Sequence, residues 1–351
     1  MKTSMRSLAT ATLVLMCLAL GSTQVLAGQF AGYVRNTYNS EDMVLIPGTN
    51  WVVASSDATP GKTKPGYLYS INALTGEAQL ADSNIAPSSA GDPECEPVPL
   101  NHLATSGLAL RSNSDGTHQL MVVNHGDRMS IELFDIDVED VSLGFTWTGC
   151  VMMPEKAFPN SVVPIGDEGL AVTISFETDN THFTDQLNRR EDTGYLLEWH
   201  RQTGFTTVAG SELSMPNGLQ VDADGSHYYI AAWGSQQLLR LPTSDESGEP
   251  ILIDIGIRPD NITWTSQGTL LIAGHLQSPE EVFECVATDA EVCSIPFKII
   301  EVDPTTMSVI RVVVDGESMS SFAAATTGLE VGDEIWASSF RNTKIARYRK
   351  Q

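Results

Sequence analysis

The chain has 351 residues, 42% of them hydrophobic and 18% charged, a composition that argues for a large core and against a disordered or collagen-like chain. Residues 28–351 carry 18 basic and 44 acidic side chains, a net charge of −26. That charge repels phosphate backbones and anionic lipid, which argues against nucleic acid as a partner, while so many carboxylates suit hard cations such as calcium.

Residues 1–27 read as a signal peptide, with Lys2 and Arg6 at a basic start, a mostly apolar stretch from Leu8 to Leu20, and small residues around Val25-Leu26-Ala27. No later stretch approaches the ~20 apolar residues of a membrane span. The expected product is a single domain, residues 28–351, that is secreted or periplasmic. Loss of Cys17 with the leader leaves Cys95, Cys150, Cys285 and Cys293, an even number in an oxidising compartment. Three pairings are open. The preferred one joins Cys285 to Cys293 across a short loop and Cys95 to Cys150 across a long one. Metal binding by these cysteines is disfavoured, since no C-x-x-C or clustered His accompanies them.

From there on the chain shows short runs rich in Val, Ile, Leu, Tyr and Trp, separated by Gly, Asp, Asn, Ser and Pro turns, which is an all-β pattern. The runs repeat. Polar residues open short strands at 41–45, 106–110, 160–163, 217–221, 261–264 and 327–331. Each is followed by a second strand, at 51–55, 120–124, 170–174, 228–232, 270–274 and 335–339. Third strands follow at 67–71, 131–135, 238–241 and 299–302. The openers recur about every 57 residues, enough for a four-stranded blade with its loops, so the pattern predicts a six-bladed β-propeller. A β-sandwich also has many short strands, but it does not predict six similar openers. The strand Ile345-Ala346-Arg347-Tyr348 lies almost at the end, so an N-terminal segment near 30–38 is expected to complete the last blade.

In a propeller the innermost strands share a central channel, and polar residues that open them converge there. Glu41, Asn160, Asn217, Asp260 and Asn261 are all oxygen donors, a set that suits calcium and lacks the His and Cys that zinc favours. Asn and Asp also begin strands simply because they make good turns. That explains any one opener less specifically than a central metal site explains five in matching places. Asp222-Ala223-Asp224-Gly225 lacks the twelve-position EF-hand pattern and reads as a turn.

Pro216-Asn217-Gly218-Leu219, Tyr228-Tyr229-Ile230-Ala231 and Pro259-Asp260-Asn261-Ile262 resemble the gluconolactonase (senescence marker protein) superfamily. Ser40-Glu41-Asp42 and Val122-Val123-Asn124-His125 are similar to its paraoxonase/arylesterase branch. The resemblance implies a six-bladed propeller with one catalytic calcium held by Glu41, Asn160, Asn217, Asp260 and Asn261. It further implies a hydrolase of lactones or aryl esters in which the ion polarises the carbonyl and Asp260 or His125 takes a proton from water, the gluconolactonase branch favouring Asp260. Departures accompany it. Paraoxonases use a second histidine where this chain has Ser106, and a second, structural calcium is ligated where this chain has Ser161. A copied two-histidine mechanism and the second ion are therefore both in question, and the branch's end-to-end disulfide has no counterpart.

His275 sits at the end of the fifth second strand and, with Ser106, is a candidate for lining the tunnel. A serine nucleophile is disfavoured, because no G-x-S-x-G is present. The sequon Asn261-Ile262-Thr263 would place a glycan on the proposed metal site and reads as accidental. Trp51, Trp233, Trp264 and Trp336 are expected to pack blades. The insertion 279–294 is either a stapled lid or an outer loop, the outer loop being preferred. Two further functions stay open: a non-catalytic propeller that keeps its metal for structure, and a condensing enzyme like strictosidine synthase, whose essential acid has no evident place here. The oligomeric state is not legible.

Overall fold

The computed structural model describes residues 28–57, 66–93, 95–139, 142–244, 247–288, 290–316 and 322–351; the expected signal peptide lies outside them. β1 (Gln29–Arg35) precedes the first full blade, β2 (Met43–Leu45), β3 (Trp51–Ser56), β4 (Tyr67–Asn72) and β5 (Glu77–Leu80). The second comprises β6 (Ser83–Gly91), β7 (Thr105–Ser112), β8 (His118–Asn124), β9 (Ser130–Val138) and β10 (Leu143–Met152). The third has β11 (Ala157–Ile165), β12 (Gly169–Glu177), helix α1 (Phe183–Asn188), β13 (Tyr195–His200) and β14 (Gly204–Thr207). The fourth has β15 (Pro216–Val221), β16 (His227–Ala232), β17 (Gln237–Pro242) and β18 (Ile251–Asp254). In the fifth, β19 (Arg258–Trp264) and β20 (Leu270–His275) lead through helix α2 (Pro279–Val286) to β21 (Phe297–Asp303) and β22 (Ser308–Asp315). The sixth holds β23 (Ala325–Val331), β24 (Glu334–Ser339) and β25 (Lys344–Arg349), and β1 completes it by pairing antiparallel with β25.

The inner strands β2, β7, β11, β15, β19 and β23 touch in a closed circuit, so the molecule is the six-bladed propeller that the repeat predicts. Ring closure by residues 29–35 also agrees with the expectation. Alternate side chains of one strand serve opposite neighbours: Trp51 and Val53 join a core shared with the second blade, whereas Val52 and Ala54 join one shared with the sixth. Each of the six blade interfaces has such an apolar core. Burial on both faces is why the second strands read as unbroken apolar runs rather than alternating ones.

Cys95 is joined to Cys150 and Cys285 to Cys293, each with Cα atoms 5.8 Å apart, as in the preferred pairing. Among the described residues no helix is long and apolar enough to cross a membrane. The insertion 279–294 corrects one reading. Rather than an outer loop it forms α2, whose Val282 packs with Leu187 of α1, Trp233 and Phe340 in a seventh apolar cluster on the face that carries the inner-strand openers. Its Ser278 and Glu281 make a reciprocal N-terminal cap, and its apolar side needs a partner that an outer position would not provide.

Candidate functional site

Five inner strands break register at one place. The irregularities fall between Thr105 and Leu108, Pro159 and Val162, Pro216 and Leu219, Pro259 and Ile262, and Ala325 and Gly328. Each frees two consecutive residues from ladder pairing, and these include the expected Ser106, Asn160, Asn217, Asp260 and Asn261. Glu41 and Asp42 stand just before β2, at the corresponding place. Glycine permits the close approach this requires. A Cβ on Gly218 would lie 2.3 Å from the Asp260 carbonyl oxygen, and one on Gly107 would lie 2.4 Å from that of Asn160. Gly218→Ala is therefore expected to destabilise the fold by about 1–3 kcal/mol, read as a lower denaturant midpoint.

Residues distant in sequence meet at these breaks. Asn261 Nδ2 donates to Glu41 Oε1 at 2.8 Å, across the channel between the fifth and first blades, which are not neighbours. The Asn217 amide supports the Asp260 carboxylate. Thr326 and Ser338 hydroxyls donate to the Glu41 carbonyl, at 2.6 and 3.1 Å, and the Thr327 hydroxyl, 3.0 Å from that carbonyl, lies as close to Asp42 Oδ1, so the sixth blade fixes the first opener. These three were not singled out from the sequence, although Thr327 occupies the opener position of the sixth repeat.

The polarity of this cluster is one-sided. Glu41 Oε2, Asn160 Oδ1, Asn217 Oδ1 and Asn261 Oδ1 are buried, and none meets a hydrogen-bond partner among the described residues. A buried acceptor without a donor costs about 1–3 kcal/mol, so four such atoms at matching positions call for a common cause. Burial, then Asp260 and then Asp42 push the Glu41 carboxyl well above its usual range, against the Asn261 amide. Asp260 is raised likewise, by burial and then by Asp42. Burial lifts Asp42 to about 6, against backbone N–H groups of Leu108 and Met43 and the Thr327 hydroxyl.

Those oxygens are of the kind that a hard cation takes, and the Asp260 carboxylate and waters would have to complete the ~6–8 ligands of calcium. Among the described residues, no three His, Cys, Asp or Glu side chains are placed to hold an ion by themselves, so a cation here would depend on the carboxamides. Asp42 differs in that its oxygens already accept the Leu108 and Met43 N–H groups, both at 2.8 Å, and the Thr327 hydroxyl. Ser161 Oγ accepts Leu219 N–H in the equivalent way, at 3.3 Å. At Ser161, where the resemblance implies a ligand of a second ion, the chain's own backbone thus uses the side-chain oxygen.

The two histidines differ. His125 follows β8 and is partly exposed, its ring 4.3 Å from that of Phe158. Its Nε2 lies 2.6 Å from the Pro159 carbonyl, which can only accept, so Nε2 carries the proton and Nδ1 is left as the basic atom. Burial lowers its pKa, while Asp57 opposes that shift. His275 is buried and pushed down to about 4, chiefly by burial. Its Nδ1 accepts from Trp233 Nε1 at 3.1 Å and lies 3.8 Å from Asp260 Oδ2. Trp233 is therefore more than the blade packing expected of it: it holds His275 against the cluster. Trp233→Phe should keep the packing but leave His275 Nδ1 without a donor, lowering stability by about 1–3 kcal/mol in thermal unfolding.

No family profile matches the chain. A curated relative, strictosidine synthase-like 3 of Arabidopsis thaliana, is 29% identical over 163 residues, and the match spans 40% of each protein. Solved structures similar over most of their length include a gluconolactonase from Xanthomonas campestris, with a TM-score of 0.52, 10% identity, and coverage of 91% of this chain and 89% of that one. A calcium-binding protein, regucalcin, from Agrobacterium tumefaciens has a TM-score of 0.51 and 12% identity, covering 92% and 94%. A luciferin-regenerating enzyme has a TM-score of 0.50 and 12% identity, covering 92% of both chains. At these identities the likeness establishes the shared six-bladed architecture.

Proposed function

We propose that the chain is a calcium-dependent hydrolase of lactones or aryl esters, with one ion held by Glu41, Asn160, Asn217, Asp260 and Asn261. The observation that carries this reading is the group of four buried oxygens, at the openers of four inner strands, that meet no donor among the described residues. When bound, calcium supplies a Lewis acid for the ester carbonyl. The chain's own residues do the rest. The two carboxylates set the charge of the site, and the amides orient its oxygens. His125 takes a proton from water at Nδ1, the ring atom that the Pro159 contact leaves free. Trp233 and Phe340 beside His275, with Phe283 against Trp233, keep bulk water from that side. Lactones suit a narrow channel better than open esters, because ring opening releases no separate leaving group.

The test is turnover of a panel of γ- and δ-lactones and phenyl esters, with and without chelator. Chelator-sensitive hydrolysis that is lost in Asn217→Ala is the expected result. A folded, calcium-loaded protein without turnover on any member would support the non-catalytic propeller instead. The partial match to strictosidine synthase-like 3 favours a second reading, a condensing propeller. Among the described residues the buried carboxylates are the acids the cluster offers it, and an amine–aldehyde pair in the same panel distinguishes it.

A further inference from the structure

The turn that carries His125, residues 125–129, is fastened along its whole length. His125 N–H donates to the Ala104 carbonyl at 2.9 Å, Gly126 N–H to Asn124 Oδ1 at 2.8 Å, and Asp127 N–H to the His102 carbonyl at 3.3 Å. The Arg128 carbonyl accepts from Asn124 Nδ2 at 3.1 Å, and the Met129 carbonyl accepts from Met153 N–H at 3.1 Å. A Cβ on Gly126 would lie 2.1 Å from the His102 carbonyl oxygen, so the seat is close-fitting as well.

Beneath this turn lies Glu132, fully buried on β9. Its oxygens take four donors: Arg128 Nε at 2.9 Å, Arg128 Nη2 at 3.0 Å, Ser130 Oγ at 2.6 Å and Trp147 Nε1 at 2.8 Å. Ser130 Oγ also accepts from Asn124 Nδ2 at 3.2 Å. The carboxylate, Ser130, Asn124 and Arg128 thus form one network, and Arg128 reaches inward from the very turn that presents the histidine.

A buried ion pair is a poor source of stability, since apolar residues of the same volume serve as well or better; its best-attested use is to select one arrangement. We propose that Glu132, acting through Arg128 and Asn124, is a positioning residue that fixes the His125 ring with Nε2 on the Pro159 carbonyl and Nδ1 available. The inference rests on the assignment of His125 as proton acceptor, and its test separates the two.

The variants are Glu132→Gln, the double change Arg128→Met with Glu132→Met, and His125→Gln. The readouts are the 15N resonances of the His125 ring in calcium-loaded protein, and kcat and KM on the lactone and phenyl ester panel. The double variant supplies apolar residues of similar volume and is expected to stay folded. Its ring nitrogens should shift from a single Nε2–H form to an average of both tautomers, and kcat should fall about 10–100-fold with KM little changed. Glu132→Gln should show the same changes to a smaller degree. A folded double variant with wild-type ring resonances would overturn the positioning role. Disturbed resonances with undiminished kcat would overturn its bearing on catalysis. Full turnover in His125→Gln would instead overturn the assignment of the base, and with it the functional part of the inference, whatever the ring spectrum shows.

Discussion

Metal-free protein should lose thermal stability as pH rises from the ordinary carboxylate range through about 6 and beyond, and added calcium should restore it. Glu41, Asp42 and Asp260 are all pushed up in the fold, so the native chain holds protons that the unfolded chain has released. Stability linked to those protons is complete below the unfolded carboxylate range. It is lost as pH rises through the folded values, about 6 for Asp42. His275, lowered to about 4, acts in the opposite sense: its contribution is present above the ordinary imidazole range and is lost on acidification, so it offsets part of the Asp42 effect below that range and is constant above it. With each pKa unit equivalent to about 1.4 kcal/mol, the rise of Asp42 to about 6 is by itself enough for a fall of a few degrees, and Glu41 and Asp260 act in the same direction. Differential scanning calorimetry across this range, with chelator and with calcium, gives the answer. A flat metal-free profile would contradict the electrostatic reading of the cluster.

Asp260→Asn should separate stability from function. In metal-free protein, at a pH high enough to ionise Asp260, the variant removes a buried charge that faces Glu41 and Asp42, so it should unfold at a higher temperature than the wild type. With calcium the order should reverse, because the wild type gains stability and the variant gains little. Turnover should drop on the order of 10²–10³-fold, the scale of losing one preorganised electrostatic group. Melting curves with and without calcium, set beside kcat/KM on the lactone panel, test both halves. A variant that is stabilised by calcium as strongly as the wild type, with turnover intact, would remove Asp260 from the site.

The architecture was legible because the second strands are buried on both faces. Runs such as Tyr228-Tyr229-Ile230-Ala231-Ala232 leave no alternation to misread, and their recurrence sets the blade count. The openers were legible for a related reason: Asn217-Gly218 pairs a short polar side chain with the one residue that fits against the Asp260 carbonyl. Other parts carried weaker signals. β6, Ser83–Gly91, is mostly exposed and polar, and pairs parallel with β10 at the rim of the second blade, so nothing in its periodicity marks a strand. α2 was marked by Ser278 and Glu281 at capping-box spacing, yet the side it would face could not be read from that spacing. Trp233 resembled a packing residue because its bond to His275 joins side chains 42 positions apart. Glu132 drew no attention either, since an acid within an apolar strand announces its partners only when Arg128, Ser130 and Trp147 are seen around it.

On this reading, oxygens from four of the six blades hold one hard divalent ion. Isothermal titration of chelator-treated, folded protein with calcium tests it directly. One saturable site per chain is expected, weakened severely by Asn261→Ala, which removes both the Oδ1 acceptor and the hydrogen bond across the channel to Glu41. Absence of binding at millimolar calcium, or binding that Asn261→Ala leaves unchanged, would contradict it.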